Sequence, residues 1–251
     1  MAQVTDYVLT EEVKQWLDSE IADYQNPQHW EVAKEDGEGK IVWQKNLKAA
    51  GVKNEKIAWW KFSAVIPGAK LHEVYDIIHK DGLTYQKILS EGFDGGLKVE
   101  ELPAARLGGA AEEAVIQHRA FKLRIVNNRD FLTLTCQRSF TAPNGTKGVA
   151  SMTRSPETFS NKASKYPKPL PVAKGFTRAD VLTCCAFLYQ VDEGVHYTYT
   201  QRCDIHLSAF LPVPKAVLQR EEKKHIWRHF DLMRQCVEAY RQEHGAPGAF
   251  D

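Results

Sequence analysis

The sequence lacks an excess of charge, a long apolar run and any paired-cysteine motif, and each absence excludes a class of protein. Lys and Arg number 33 and Asp and Glu 32, so the formal net charge of +1 gives no long-range field that would attract nucleic acid. No apolar run approaches the roughly 18 residues of a membrane span, and residues 1–16 do not show the basic and apolar segments of a signal peptide. We therefore expect a cytoplasmic protein without a nucleic-acid partner.

Cysteine is scarce, with five residues and no C-x-x-C spacing. The odd count argues against a disulfide framework and indicates a reducing compartment. The adjacent Cys184 and Cys185 would point to opposite faces of a strand, which disfavours a four-cysteine zinc site. The chain also lacks a P-loop and a Rossmann signature, so we expect neither a metal nor a cofactor.

Apolar residues recur at helical spacing near both ends of the chain. A first helix is predicted over residues 10–25, capped by Thr10, with one apolar face formed by Val13, Trp16, Leu17, Ile21 and Tyr24. A long helix begins near Pro214 and ends at Gly245, and its apolar stripe consists of Ile226, Phe230, Met233, Val237 and Tyr240. The polar run at 219–225 is predicted to be solvated. Two short helices are predicted over residues 71–78 and 84–90.

Strand signals fill most of the sequence between these helices. Runs rich in β-branched and aromatic residues predict strands at 40–46, 56–65, 97–102, 113–126, 131–140, 148–154, 175–191 and 195–205. The proline-rich stretch 155–174 is predicted to be a surface loop. This order predicts one α+β domain over residues 1–251, with an antiparallel sheet, helices to one side, a core at 10–243 and a flexible tail at 244–251.

Four short motifs follow one another along the chain. The first runs from Trp30 to Trp43 and combines an Asp-Gly turn with an apolar strand; the second is Asn128-Arg129-Asp130-Phe131-Leu132. The third is Tyr166-Pro167 followed by Gly175-Phe176-Thr177-Arg178-Ala179, and the fourth is Asp204 followed by Phe210-Leu211-Pro212 and the long helix. In this order they resemble the START (StAR-related lipid transfer) family of the Bet v 1-like helix-grip superfamily, over about residues 10–243.

This resemblance implies a helix-grip fold, in which a curved antiparallel sheet wraps around a long C-terminal helix and encloses an apolar cavity. It implies that the protein binds one lipid of the phospholipid or sterol class and transfers it between membranes. The protein would act as a monomer that contacts the membrane surface transiently. Neither a cofactor nor a catalytic residue is implied.

The resemblance also indicates which residues contact the lipid. On the strand near residue 131, the face that would meet the lipid carries Phe131, Thr133, Thr135 and Gln137. The alternation of apolar and polar side chains alone favours a sheet without a ligand site. In such a sheet the leucine-containing face packs in the core and this mixed face is exposed to solvent. Tyr197 and Tyr199 share a face of the last strand, where their hydroxyls would bond a head group or pack in the core. A lid is predicted from Phe210, Leu211, Val217 and Leu218, within the segment 206–215 and the start of the helix, together with the loop 141–148.

The sequence departs from the family pattern at three places. Tyr85-Gln86 stands where the family often has Trp-Asp, so the Arg and Asp of choline-binding members are not evident. A gap-free match puts the acidic and basic positions of sterol-binding members at Ile116 and Thr135, which predicts that both contact the lipid in a less polar pocket. The glycine normally found between Asp204 and the proline is missing, and residues 205–209 form a longer stretch than usual.

Two other functions stay open. Related helix-grip proteins include cyclases, and His118 is the most suggestive candidate for such an enzyme, although no nucleophile, base and orienting group occur at a telling spacing. Alternatively, lipid occupancy regulates a protein partner. Arg129 and Asp130 are predicted to fix the start of their strand by an ion pair or a turn cap rather than to contact a ligand, and the direction of Arg178 is left open.

Overall fold

Helices near both ends of the chain flank a run of strands. The computed structural model describes residues 7–52, 57–80, 82–90, 92–123, 127–167, 171–172, 174–206 and 214–245. Its helices are α1 (Glu11–Gln25), α2 (Leu71–Tyr75), α3 (Gln86–Leu89), α4 (Ala104–Leu107) and α5 (Lys215–His244). The nine strands within these ranges are β1 (Trp30–Glu35), β2 (Ile41–Lys45), β3 (Trp60–Pro67), β4 (Phe93–Leu102), β5 (Glu113–Phe121), β6 (Arg129–Thr141), β7 (Lys147–Arg154), β8 (Thr177–Val191) and β9 (Gly194–Asp204).

All of these strands belong to one sheet, in the order β1-β2-β3-β9-β8-β7-β6-β5-β4. Strands adjacent in that order pair antiparallel. β7 ends at Arg154, and beyond its end the start of β6 pairs in parallel with the start of β8, with Phe131 opposite Ala179. The predicted antiparallel sheet with a long C-terminal helix is therefore confirmed.

Alternation along the strands gives the sheet an outer and an inner face, and α1 covers the outer face. Leu132 and Leu134 of β6 and Phe187 of β8 lie in one core cluster with Val13 and Leu17 of α1. None of these five side chains is more than 1% exposed. The apolar face predicted for α1 is thus the face that packs on the sheet.

The inner face meets α5. Ile226 and Met233 of this helix are buried in a second core cluster with Phe62 of β3 and Leu188 of β8. Because α1 and α5 lie on opposite faces, the prediction that the helices lie to one side is wrong. Buried apolar side chains occur on both faces of β8, Phe187 outward and Leu188 inward, so each face is covered by a helix.

Two elements were not predicted from the sequence. The side chains of β1 are exposed or half-buried along its whole length, because β1 is an edge strand, and it therefore lacks a clear alternation. α4 has only four residues, too few to show a helical period. The helix predicted over 71–78 is present, but it continues from α2 as a π-helical turn, Asp76–Lys80.

The stretch 155–174 has exposed residues, as its prolines predicted, but part of it is packed against the rest of the protein. Its described residues form two short 3-10 turns, and Phe159 and Tyr166 are only 2% and 5% exposed. The ring of Phe159 packs edge-on against Trp16 at 5.8 Å, and that of Tyr166 against Tyr7 at 5.6 Å. These aromatic contacts hold the stretch against the N-terminal segment that includes α1.

A buried ion cluster fixes the corner where β6 and β8 begin. Arg178 donates two hydrogen bonds to the carboxylate of Asp130, at 3.0 and 3.1 Å, and His118 Nε2 lies 3.0 Å from the same carboxylate. Arg129 donates instead to backbone carbonyls, among them that of Ile205. Arg129 and Asp130 thus have the structural role that was predicted, although each bonds other residues. Arg178 and His118 both point to the outer face.

A buried carboxyl lies between α1 and the outer face. Glu20 is 8% exposed, and its Oε1 accepts hydrogen bonds from Trp16 Nε1 at 3.0 Å and Thr183 Oγ1 at 2.8 Å. Burial raises the pKa of Glu20 above its ordinary value, although these hydrogen bonds offset part of the rise. The folded protein therefore favours the protonated carboxyl more strongly than the unfolded chain does. This contribution to stability is fully present below the unfolded pKa of about 4.3 and is lost as the pH rises.

We expect Glu20→Gln to raise the free energy of unfolding at pH 7.5, by about 1.4 kcal/mol for each unit by which folding raises the pKa. Gln keeps an acceptor for Trp16 and Thr183 and carries no charge. Near pH 4 the carboxyl is largely protonated in both states, so the variant and the wild type should then be similarly stable. Urea titrations at both pH values test this, with Glu38→Gln in an exposed turn as the control. A variant less stable than the wild type at pH 7.5 would contradict it.

Candidate functional site

A cavity of about 110 Å³, partly open to solvent, lies between the inner face of the sheet and α5. The sheet wall consists of small and polar side chains, chiefly Thr135, Ser151, Thr153, Cys184, Ala186, Tyr197 and Tyr199. The helix wall includes His225, His229 and Met233. Because the side chains on β6, β7 and β8 are short, they do not reach α5, and this leaves the space open.

Hydrogen bonds satisfy much of the polar wall. Thr135 Oγ1 and Thr153 Oγ1 lie 3.0 Å apart, and the Tyr197 hydroxyl lies 2.7 Å from His229 Nε2. The ring of Tyr199 stacks on His229 with 4.5 Å between centroids. Burial lowers the pKa of His229 to about 3, so the imidazole is neutral at physiological pH.

Arg119 of β5 brings a positive charge to this wall. Its Nη2 donates to Gln117 Oε1 at 2.6 Å, and its Nη1 lies 3.5 Å from Gln86 Oε1. Its Nε is buried and has no hydrogen-bond partner among the described residues. Burial lowers the pKa of the guanidinium below its ordinary value, but a guanidinium still remains charged at physiological pH.

A larger groove of about 800 Å³ adjoins the cavity beside the first half of α5. Leu89 and His225 line both spaces. Other apolar side chains in the groove are Ala58, Trp60, Phe93, Leu123, Ile205, Leu218 and Leu232. Charged side chains of both signs also border it, namely Asp94, Lys122, Glu221, Glu222, Lys224 and Arg228. The groove therefore combines an apolar surface with a polar border.

Six of the residues predicted to contact a lipid share the inner face: Phe131, Thr133, Thr135, Gln137, Tyr197 and Tyr199. Three of them line the cavity, namely Thr135, Tyr197 and Tyr199. Gln137 is 1% exposed, and neither atom of its amide has a hydrogen-bond partner in the described part of the chain. Ligand contact by these residues stays a prediction.

Ile116 does not lie with them. It pairs with Leu134, and both side chains belong to the core cluster on the outer face, next to α1. The inward positions on β5 are its neighbours Val115 and Gln117, because a shift of one residue exchanges the faces of a strand. The gap-free match therefore assigned Ile116 to the wrong face.

The predicted lid residues have different positions. Leu218 lines the groove, and Val217 beside it is half-buried. Phe210 and Leu211 lie outside the described residues. The loop 141–148 follows the end of β6, whereas Ile205 of the groove lies at its start, and the 13 residues of β6 span about 40 Å. This loop therefore cannot cover the groove, and its Ala142 is packed in the outer-face core.

Sequence reasoning missed His225, His229 and Arg119. The helical register offered a signal for His229, since it lies three residues after Ile226 and four before Met233, on the buried side of α5. The run 219–225 is not wholly solvated, because Glu222 accepts a hydrogen bond from Trp60 Nε1 at 2.9 Å and His225 lines the cavity.

His118, the candidate for a cyclase-type reaction, lies on the outer face and is bonded to Asp130. It cannot contact a molecule in the cavity. Within the described residues, no group of three or more His, Cys, Asp or Glu side chains is placed to hold a metal ion. None of the helices in the same ranges combines the length and apolar character that crossing a bilayer requires.

The arrangement of one curved sheet around a long C-terminal helix, with a cavity between them, is the helix-grip fold. Solved structures of StAR-related lipid transfer domains share it. Human STARD10 has a TM-score of 0.65 and 16% identity, and the match covers 96% of this chain and 84% of that one. Human StAR-related lipid transfer protein 5 has a TM-score of 0.66 and 14% identity, and the match covers 92% of this chain and 97% of that one. A fragment of the STAR-related lipid transfer protein from Xanthomonas axonopodis has a TM-score of 0.56 and 14% identity, and the match covers 84% of this chain and 99% of that one.

The predicted START-type fold is thereby confirmed. At these identities the likeness concerns the fold. No protein-family model matches the sequence, and no curated protein matches it significantly.

The buried His229 should make stability depend on pH. Because folding lowers its pKa from 6.5 to about 3, only the unfolded chain binds a proton between these values. The contribution of the neutral His229 to stability is fully present above pH 6.5. As the pH falls from 6.5 towards 3, this contribution to the free energy of unfolding decreases by about 1.4 kcal/mol per pH unit.

We expect His229→Leu to reduce the slope of unfolding free energy against pH by up to about 1.4 kcal/mol per unit between pH 6 and pH 4. Urea titrations at pH 4, 5, 6 and 7 measure this slope. His72→Gln, at an exposed position of α2, should leave it unchanged. Equal slopes for wild type and His229→Leu would show that this histidine is not held neutral.

Proposed function

We propose that this protein binds one lipid molecule between the inner face of the sheet and α5 and carries it between membranes. The observation that carries the proposal is the cavity beneath α5, which adjoins an apolar groove beside the first half of that helix. The proteins with a similar fold include two human proteins and a bacterial fragment described as lipid-transfer proteins or domains. We further propose that it acts as a monomer in the cytoplasm and contacts membranes transiently.

The two spaces together set how a lipid would fit. Pockets for small molecules usually measure about 300–1,000 Å³. The cavity of about 110 Å³ falls below this range, while the groove of about 800 Å³ falls within it. A bound lipid would therefore occupy the groove with most of its hydrocarbon and insert only one end into the cavity.

Transfer by such a protein needs no chemical step. Each CH₂ group withdrawn from water contributes about 0.8 kcal/mol, so free passage of a lipid through water is strongly opposed. A lipid in a bilayer already has an apolar environment, and moving it into an apolar groove changes its free energy little. The protein would then speed exchange by shielding the hydrocarbon during the passage.

Filling the cavity should test the site. Ala186→Leu adds three carbon atoms where β8 lines the cavity and would displace the inserted end of the lipid. Because the lipid as a whole would then sit further out, two or three CH₂ groups of its chain would lose contact with the groove. At about 0.8 kcal/mol each, this predicts an affinity about tenfold to fiftyfold weaker. The rate at which a fluorescent phospholipid or sterol passes from donor to acceptor vesicles should fall accordingly.

The matched control is Ala105→Leu, which adds the same atoms at an exposed position of α4. Thermal unfolding shows whether each variant folds, because overpacking a core costs about 1–3 kcal/mol. Lipid extraction and mass spectrometry of the purified wild type show what it binds. A wild-type protein that neither retains nor transfers any lipid would overturn the proposal.

A further inference from the structure

Arg119 is a half-buried cation, and it forms no ion pair within the part of the chain that the structure describes. Its guanidinium lines the cavity, and its hydrogen bonds go to the neutral side chains of Gln117 and Gln86. No carboxylate among the described residues forms an ion pair with it, in contrast to Arg178, which is paired with Asp130. Its neighbours on the cavity wall, Cys184 and Tyr199, have pKa values that burial raises, so both are neutral.

Such an arrangement lowers the stability of the free protein, and a bound anion would offset this cost. Removing a guanidinium from water carries a large desolvation penalty, which proteins normally offset with a carboxylate or phosphate. The buried Nε adds a donor that has no hydrogen-bond partner among the described residues. A planar guanidinium offers paired donors, which match the two oxygens of an anionic group.

The surrounding space limits the size of that anion. The cavity of about 110 Å³ is smaller than the roughly 150 Å³ cavity that accommodates benzene in an engineered protein. It suits a carboxylate or a phosphate with few attached atoms. A hydrocarbon chain would leave past Leu89 and His225, which line both spaces, and lie along Trp60, Leu218 and Leu232 of the groove.

We infer that the cavity binds an amphiphile with a small anionic head, carboxylate or phosphate, whose head group pairs with Arg119 and whose hydrocarbon chain occupies the groove. This inference rests on the proposed function, because it names the class of lipid that the same site selects. Arg119 is then a specificity residue, since a neutral lipid of equal chain length would leave its charge unpaired.

Three probes with the same chain separate the head group from the hydrocarbon. Dodecanoate, dodecyl phosphate and dodecanol are titrated into the purified protein below their aggregation concentrations, and tryptophan fluorescence or calorimetry gives each Kd. We expect at least one anion to bind about tenfold to a hundredfold more tightly than the alcohol, as for a charge-assisted hydrogen bond. The preferred anion then tells a carboxylate head from a phosphate head.

Variants at Arg119 test whether its guanidinium causes the preference for an anionic head group. Arg119→Met should weaken binding of the preferred anion about tenfold or more and leave dodecanol binding unchanged. Arg119→Lys keeps the charge but loses the paired donors, so its affinity should lie between those of the wild type and Arg119→Met. The control is Arg138→Met on the outer face, where the arginine is paired with Asp18, and it should change no Kd.

Thermal unfolding of the ligand-free proteins separates binding from structure. Without an ion partner to lose, Arg119→Met should be as stable as the wild type or more stable. Marked destabilisation together with equal anion and alcohol affinities would overturn the inference and make Arg119 structural. Equal binding of all three probes, unaffected by Arg119→Met, would overturn the inference and leave the proposed function standing. A wild type that binds none of the probes but transfers lipid would overturn the inference alone, and a wild type that binds no probe and neither retains nor transfers any lipid would remove both.

Discussion

The two faces of the sheet are packed in different ways, and the rest of the structure depends on this contrast. Successive residues of a strand point to opposite sides, so β6 presents Leu132 and Leu134 outward and Thr133 and Thr135 inward. Large apolar side chains on the outer face pack beneath α1. Small polar ones on the inner face leave a gap beneath α5. The same thirteen residues therefore build a solid core on one side and a cavity on the other.

This division allows the interior to hold groups that weaken folding. His229, Gln137 and Arg119 all lie on the inner side; among the described residues the amide of Gln137 has no hydrogen-bond partner and the guanidinium of Arg119 has no ion pair. Each lowers stability, and the apolar core beneath α1 offsets this cost. Binding sites commonly carry such a penalty, because groups arranged for a ligand are not optimal for the free protein.

Much of the fold, but less of the site, could be predicted from the sequence. The stripe of α5 and the alternation of β6 are strong periodic signals, and together with motif order they indicated the helix-grip fold. The sequence did not show which face of β6 borders a cavity, because this depends on which helix covers each face. The gap-free match assigned Ile116 to the wrong face, because such a match does not fix the register of a strand. A shift of one residue moves a side chain to the opposite face of the sheet. Arg119 was missed because its isolation from carboxylates is a property of three-dimensional neighbours.

The two ends of α5 are held in different ways. The C-terminal half of the helix is clamped, since Arg241 donates to the carboxylate of Glu73 at 2.6 and 2.8 Å and Tyr240 to Asp76 at 3.0 Å. In its first ten residues, by contrast, no described side chain is buried, and the apolar stripe begins only at Ile226. Two hydrogen bonds instead hold this end of α5, one from Trp60 Nε1 to Glu222 at 2.9 Å and one from Lys223 Nζ to the carbonyl of Ala33 at 2.6 Å. The end of the helix that borders the groove is thus held by polar contacts, whereas buried apolar side chains hold the remainder.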